Sequence, residues 1–380
     1  MRGLRTSLLV AYLSTAVLGG MPRAEEPIRI ASSLPLTGNS AWYGAQGRNG
    51  AALAEAEINA AGGVLGRPLA IDYWDNRCNP AEGVKSITQA LAEKHYAAIQ
   101  EGGCSSVALA VMPLAERAGV PFVIGSPSAT AIAERSGVGG NKWSFKIIPT
   151  DAGMLDALVN WIADKGQADR IAFIGEDTDY GRGGAAAFNV ALAKRGKKLV
   201  SMDFYQQSTP DFATLIAKLQ SEKPSLIAAY TIGADGQNFI RQWAEAGGGV
   251  GLTGRIFTDQ IPAEILQSGV LDGLTTIHPY DVHLDSQANK DFVARYQKKF
   301  DSLPNLTSWV SYETVQVIVA AIRDAGSDDP AKLRAALAAG TFHTISGDPI
   351  HFDDHNLAHL DALILGIQKG KVIVLGKSPT

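Results

Sequence analysis

RIAFIGEDTDYGRGGAAAFNVALAKRGKKLVSMDFY, residues 170–205, decides the fold. An apolar β-type run at 170–175 leads through a polar loop into an amphipathic stretch at 181–195, and a second β-type run follows at 198–205. Strand, helix, strand in that order is the unit from which parallel sheets are made. The same alternation continues on both sides. Further strands are predicted at 28–34, 69–74, 97–100, 121–125, 225–230, 255–259 and 274–279. Helices are predicted at 41–61, 80–94, 106–118, 151–165, 211–221 and 236–246, and later at 287–300, 308–325 and 330–338. In the helix at 151–165, Met154, Leu155, Leu158, Val159 and Ile162 recur at intervals of three and four, which places them on one face. Residues 28–146 and 170–279 thus make two similar open α/β sheets, joined near Ile147-Ile148-Pro149-Thr150. The tail ends in a predicted hairpin, ILGIQ (364–368) and KVIVL (371–375), about the Lys369-Gly370 turn. Such sheets bind ligands at the carboxyl ends of their strands, so the loops after strands are where chemistry is sought.

The 380 residues suffice for two lobes with cores of their own. With 46% hydrophobic and 19% charged residues and a mean hydropathy of +0.02, the chain has the composition of a globular protein rather than a disordered one. Lys and Arg number 34 against 38 Asp and Glu, for a net charge of −4, so the basic excess that phosphate backbones require is absent and no nucleic-acid partner is expected.

Arg2 and Arg5 precede an apolar run, Leu8 to Leu18, followed by Gly19-Gly20 and Met-Pro-Arg-Ala at 21–24. This is the pattern of a secretory signal peptide, and cleavage is expected after Ala24. The run falls short of the ~20 residues that span a bilayer. Without residues 1–24 the balance is 31 basic against 38 acidic side chains, a mildly acidic exported protein. Its two cysteines, Cys78 and Cys104, are an even pair in an oxidising compartment, which favours a bridge over two thiols.

Two motifs are set aside on their context. GVGLTG (249–254) matches G-x-G-x-x-G, but the dinucleotide fingerprint needs a strand before it and a helix after it. Here the order is reversed, and the stretch is read as a glycine-rich helix exit. His351, His355 and His359 are four apart among acidic residues, but the turn-forming Asp-Asp and His-Asn pairs predict a loop that scatters the rings, so no metal is expected. No cofactor motif remains.

Two loops point to an anion. EGGCSS (101–106) follows a strand and opens a helix with Ser105 and Ser106, so hydroxyls and free N–H groups stand at a helix start. SPSAT (126–130) follows the next strand and is again rich in hydroxyls. Serine caps helices in any protein, but two such loops at neighbouring strand ends make a convergent pocket.

These features together with ASSLPLTGNSAWYGAQGRNGAALAEAEINAAGGVLGRPL (31–69), DNRCNP, GGCSS and EDTDYGRGGAAAF (176–188) resemble the periplasmic substrate-binding proteins of the branched-chain amino acid type, over nearly the whole mature chain. The resemblance implies the type I periplasmic binding fold: α/β, two doubly wound parallel-sheet lobes joined by a hinge, with a cleft that closes on a small ligand. The division expected is 1–24 as signal peptide, 25–148 with about 280–350 as lobe 1, and 149–279 with about 351–380 as lobe 2. It also implies a Cys78–Cys104 disulfide, carboxylate binding at Ser105, and ligand contacts at Ser128, Ala129 and Thr130. Tyr43 and Tyr180, each before a glycine, would line and cap the cleft. The acidic residue that pairs with a ligand ammonium in amino-acid binders falls on the Asp259-Gln260 pair, with Gln260 the gap-free match. A neutral glutamine would not neutralise a buried ammonium, so either Asp259 replaces it or the ligand is an amide, a urea-like compound or an amine-free carboxylate.

The function implied is periplasmic capture of a small amino acid or related carboxylate or amide by a monomer, for delivery to an ABC-type membrane permease. The same cleft would serve a ligand-sensing protein of a receptor or enzyme system. A secreted hydrolase using Ser105 or Ser128 would need a base within reach, and His95 is the only histidine before residue 278.

Overall fold

The computed structural model describes residues 26–347 and 349–380; the signal-peptide segment lies outside them. In chain order the elements are β1 (Ile28–Leu34), α1 (Ala41–Ala60), β2 (Leu69–Asp75), α2 (Pro80–Glu93), β3 (Ala98–Glu101), α3 (Ser105–Ala118), β4 (Phe122–Ile124), α4 (Thr130–Glu134) and β5 (Ser144–Lys146). Then come α5 (Asp151–Asp164), β6 (Ile171–Glu176), α6 (Asp179–Ala193), β7 (Ser201–Tyr205), α7 (Ala213–Ser221), β8 (Leu226–Tyr230), α8 (Gly233–Glu245), β9 (Gly251–Arg255), α9 (Ala263–Gln267) and β10 (Thr275–His278). Last are α10 (Gln287–Phe300), α11 (Leu306–Ala325), α12 (Pro330–Ala339), β11 (Thr341–Phe342), β12 (Ile350–His351), β13 (Ala362–Gln368) and β14 (Lys371–Ser378).

Both main sheets are parallel, as the alternation predicts. The first has the order β2-β1-β3-β4-β5 and the second β7-β6-β8-β9. Each is covered on both faces, which is why its strands read as continuous apolar runs. On the first sheet, Ile28, Ile30, Val123 and Phe145 pack with Ala51 and Ile58 of α1, Phe292 of α10 and Val310 and Ile318 of α11. The opposite face carries Ile99 and Phe122 against Ile87 of α2 and Val107 and Val111 of α3. The second sheet is covered by α5 and α6 through Leu158, Ile162 and Phe188, and on its other face by Ile216, Phe239 and Trp243 of α7 and α8.

The late elements, which periodicity does not place, are divided between these cores. Residues as far as Leu360 pack with the first core, including Ile350, Phe352 and Ala358, ten residues past the change of lobe expected near 350. The isolated bridge between Lys146 and Leu357 explains this, because it sets residues 356–358 beside the edge strand β5. Ala362 and Ile364 belong to the second core, and β13 pairs antiparallel with both β10 and β14. The hairpin turn is as predicted, with Lys369 and Gly370 both at positive φ. The chain therefore crosses between the cores three times, near 147–150, 279–281 and 360–361.

One strand lies elsewhere than predicted. β9 is Gly251–Arg255, not 255–259, and residues 258–260 form a 3₁₀ turn. Gly254 sits at φ +111, and a Cβ there would stand 2.6 Å from the Ala229 carbonyl oxygen of β8. Glycine at this register is what lets the edge strand lie against β8, so a glycine run read as a helix exit is half strand. Strand β5 and helix α4 are too short to show a period and were not predicted. His351 lies on β12, while His359 pairs with Asp353 at 2.9 Å, and no three metal-ligating side chains come together among the described residues. No helix among them is long and apolar enough to cross a membrane.

Candidate functional site

The carboxyl ends of β1, β3 and β4 face those of β6 and β9, and between them lies a cavity of about 670 Å³, part of it open to solvent. Its first-lobe wall is built on the start of α3. Cys104 is the N-cap of that helix, and its sulfur is joined to Cys78 across a Cα separation of 5.4 Å, which ties the loop after β2 to the helix start. Ser105 and Ser106 follow, so the first-turn N–H groups and two hydroxyls face the cavity together. Ser126 and Ser128 after β4 line the same wall. The backbone N–H of Ala129 donates to Ser105 Oγ at 3.3 Å, which orients that hydroxyl and couples the two loops.

Aromatic rings close the ends. Tyr43 in α1 is 5% exposed and meets Phe257 edge to face, with centroids 5.1 Å apart. Tyr180 in α6 packs on Tyr230 at 5.0 Å. Each of the two tyrosines precedes a glycine for one physical reason. A Cβ on Gly44 would lie 2.1 Å from Pro35 O, and one on Gly181 would lie 2.0 Å from Glu176 O. Both helices therefore touch the strand-end backbone at a glycine, and this seats the neighbouring tyrosine over the cleft.

Of the residues predicted to bind ligand, Tyr43, Ser105, Ser128 and Tyr180 line the cavity. The other four do not. Ala129 has its N–H on Ser105, and the Thr130 hydroxyl accepts from Ala152 N at 3.0 Å at the start of α5. Asp259, on the 3₁₀ turn, accepts from Asn305 Nδ2 at 2.9 Å and lines a separate crevice. Gln260 accepts from Gln237 at 2.8 Å on the outer side. The displacement of β9 toward the N-terminus explains this: its true carboxyl end is Arg255, so residues 259–260 lie beyond the rim.

Two charged residues that the sequence reading passed over stand in the cavity instead. Glu176 ends β6 and Arg255 ends β9, each about 1% exposed. Burial pushes the Glu176 carboxyl up to about 7, and the carboxylate of Asp235 adds to the rise, while a 2.7 Å hydrogen bond from Gln207 opposes it. Burial disfavours the Arg255 charge, but Tyr180 and Asp151 beside it more than offset that. The signal available in the sequence was position: a charged residue closing an otherwise apolar strand, as in IAFIGE.

Several polar atoms of the lining have no protein partner. They are Ser40 Oγ, Ser126 Oγ, Glu176 Oε2, Thr178 Oγ1, Tyr180 OH and Arg255 Nε. Buried groups of this kind cost roughly 1–3 kcal/mol each when left unpaired, so the cavity is built for a polar ligand.

The lobes also meet directly around the cavity. Asp179 N donates to Ser106 Oγ at 3.2 Å, Asp151 N to Ser128 O at 2.8 Å, and Asn39 Nδ2 to Asp235 Oδ2 at 3.0 Å.

A family model described as periplasmic binding protein matches residues 27–371. The leucine-, isoleucine-, valine-, threonine- and alanine-binding protein of Pseudomonas aeruginosa is 26% identical over 350 residues, 92% of each chain. Among solved structures, a solute-binding protein of an R. palustris ABC transporter in complex with benzoate superposes with a TM-score of 0.84 at 21% identity, covering 93% of this chain and 97% of the other. A second, from Rhodopseudomonas palustris BisB5 in complex with 3,4-dihydroxybenzoic acid, gives 0.83 at 24% identity, with 93% and 98% covered.

Proposed function

Because the chain belongs to the family of periplasmic binding proteins, we propose that it captures a small carboxylate-bearing solute, an amino acid or a related acid or amide, and presents it to an ABC-type permease. The cavity carries this reading: it is shared between two lobes, with hydroxyls and a helix N-terminus on one wall and charged groups on the other. A ligand held by both walls favours the closed form, and closure is what a permease can recognise. Ser105, Ser128 and the first-turn N–H groups of α3 take the carboxylate, and Tyr43, Phe257 and Tyr180 enclose the body of the ligand. In this reading lobe 1 comprises residues 26–148 and 280–360, lobe 2 the remainder, and the protein acts as an exported monomer whose Cys78–Cys104 bridge forms in the periplasm.

No bond is broken in this function. Among the described residues no histidine lines the cavity. Where the ligand carries an amine, Glu176 rather than Asp259 or Gln260 is its partner, because Glu176 Oε2 is the unpartnered carboxylate oxygen of the lining.

The test is calorimetric titration of ligand-stripped mature protein with amino acids, their amine-free analogues and short amides, in the parent and in Ser105→Ala/Ser128→Ala. Binding by the parent that falls at least tenfold in the double variant supports the carboxylate assignment, and unchanged affinity sinks it.

A further inference from the structure

Arg255 is the largest fully buried charged side chain among the described residues, and its hydrogen-bonding capacity is only partly met there. Its Nε has no hydrogen-bond partner, its Nη1 reaches only the Met154 sulfur, and it makes no ion pair with a carboxylate of the described residues. It lines the cavity that the serine loops of the first lobe also line. Tyr180 OH stands beside the guanidinium, interacts with it, and makes no hydrogen bond to any other described residue.

Tyr180 and Asp151 favour its charge through space, but no carboxylate of the described residues is in ion-pair contact with it. Asp151 interacts with Arg255 but also with buried Lys146, and its Oδ1 already accepts from Tyr230 OH at 3.2 Å. Glu176 lies two strands away, since the sheet order is β6-β8-β9, and burial favours its neutral form. A buried, forked guanidinium with no carboxylate ion pair is a receptor for a planar oxyanion.

We propose that Arg255 and Tyr180 form a second anion subsite on lobe 2, facing the serine and helix subsite of lobe 1, so that the preferred ligand carries two acid groups, one for each wall. This rests on the carboxylate-binding reading of the cavity and deepens it. A diacid also couples recognition to closure, because each acid group finds its partner on a different lobe.

The experiment compares matched pairs that differ only in the second acid group: glutarate with butyrate, glutamate with 2-aminobutyrate, and terephthalate with benzoate. Each is titrated calorimetrically into the parent protein, Arg255→Gln and Arg255→Lys. In at least one pair the diacid is expected to bind the parent ten- to a hundredfold more tightly than its partner. Arg255→Gln should erase that preference, and Arg255→Lys should restore part of it. Monoacids that bind as well as the diacids in every pair overturn the proposal in the parent alone, whether or not the variants fold. A diacid preference that persists in Arg255→Gln also overturns it. Monoacid binding that depends on Ser105 and Ser128 would leave the carboxylate reading standing while removing the second subsite, whereas no binding by any of the six would remove both.

Discussion

Asn39 and Asp235, 196 residues apart and on different lobes, are joined by a 3.0 Å hydrogen bond from the Asn39 amide to Asp235 Oδ2. The same oxygen accepts from Ser208 N at 2.9 Å, so the carboxylate is held on its own lobe before the other arrives. Ala234 N donates to Asn39 O at 3.2 Å, and a Cβ on Gly233 would lie 2.7 Å from that oxygen. The contact is a latch beside the cavity rather than part of its wall. Asn39→Ala removes one bond that exists only when the lobes are together. A net hydrogen bond of about 1 kcal/mol predicts a three- to tenfold loss of affinity. Stopped-flow measurement should find the loss in the dissociation rate, with little change in the melting temperature of the unliganded protein. An unchanged dissociation rate would mean the latch does not hold the closed form.

The Thr130 hydroxyl accepts from Ala152 N at the start of α5, and Thr130 does not line the cavity. Thr130→Val keeps the shape and removes the acceptor. About 1 kcal/mol of lost stability should lower the melting temperature by roughly 2–4 °C. Affinity should fall much less than in Ser105→Ala. An affinity loss equal to that of Ser105→Ala would return Thr130 to the binding site.

Gly181 and Gly183 lie two residues apart in α6 but in opposite surroundings. A Cβ on Gly181 would meet Glu176 O at 2.0 Å, while one on Gly183 would meet nothing within 4 Å. Gly181→Ala must push the helix start and Tyr180 away from the strand end, and a loss of affinity of tenfold or more is expected. Gly183→Ala should leave affinity unchanged and raise stability by up to ~1 kcal/mol, the helix-propensity gain over glycine. Thermal melts and titrations of the two variants side by side decide it; equal behaviour would refute the packing argument.

Glu101, at the end of β3, is fully buried, with Oε1 accepting from Asn76 at 3.2 Å and from Gly103 N at 3.0 Å. Burial pushes its carboxyl up to about 8 from an ordinary 4.5. Between those values the folded protein holds a proton that the unfolded chain has released. Stability from this group is therefore complete below pH 4.5 and is lost as pH rises toward 8, at up to about 1.4 kcal/mol per pH unit. Glu101→Gln cannot titrate. The melting temperature of the parent relative to Glu101→Gln should fall steadily from pH 5 to pH 8, and parallel curves would show that the carboxyl is not held protonated.

Much of this molecule is legible without coordinates, because local patterns carry it. Alternating apolar runs and amphipathic stretches point to parallel sheets, since a helix that carries the chain back across the sheet starts the next strand in the same direction as the last. Ser105 and Ser128 were expected at the cavity because a hydroxyl loop at a strand end is a local feature, and Tyr43 and Tyr180 because the family resemblance places them there; all four line it. β9 was misplaced for the converse reason. Its strand character comes from the close approach of Gly254 to Ala229, a contact between segments 25 residues apart that no periodicity records.

The charged half of the cavity belongs to the tertiary structure alone. In the sequence, Glu176 and Arg255 are single charged residues next to apolar runs and could equally be solvated strand ends. Only the meeting of the two lobes buries them, strips them of water and leaves their polar atoms facing one shared space. The late segments were likewise assigned by packing, with residues up to Leu360 drawn to the first core by the β5 edge and Ala362 onward drawn to the second by β10. Strand and helix follow from neighbours in the chain, which the sequence states directly. Burial of a charge and choice of lobe depend on what lies across a cleft, and that is set only when distant segments come together.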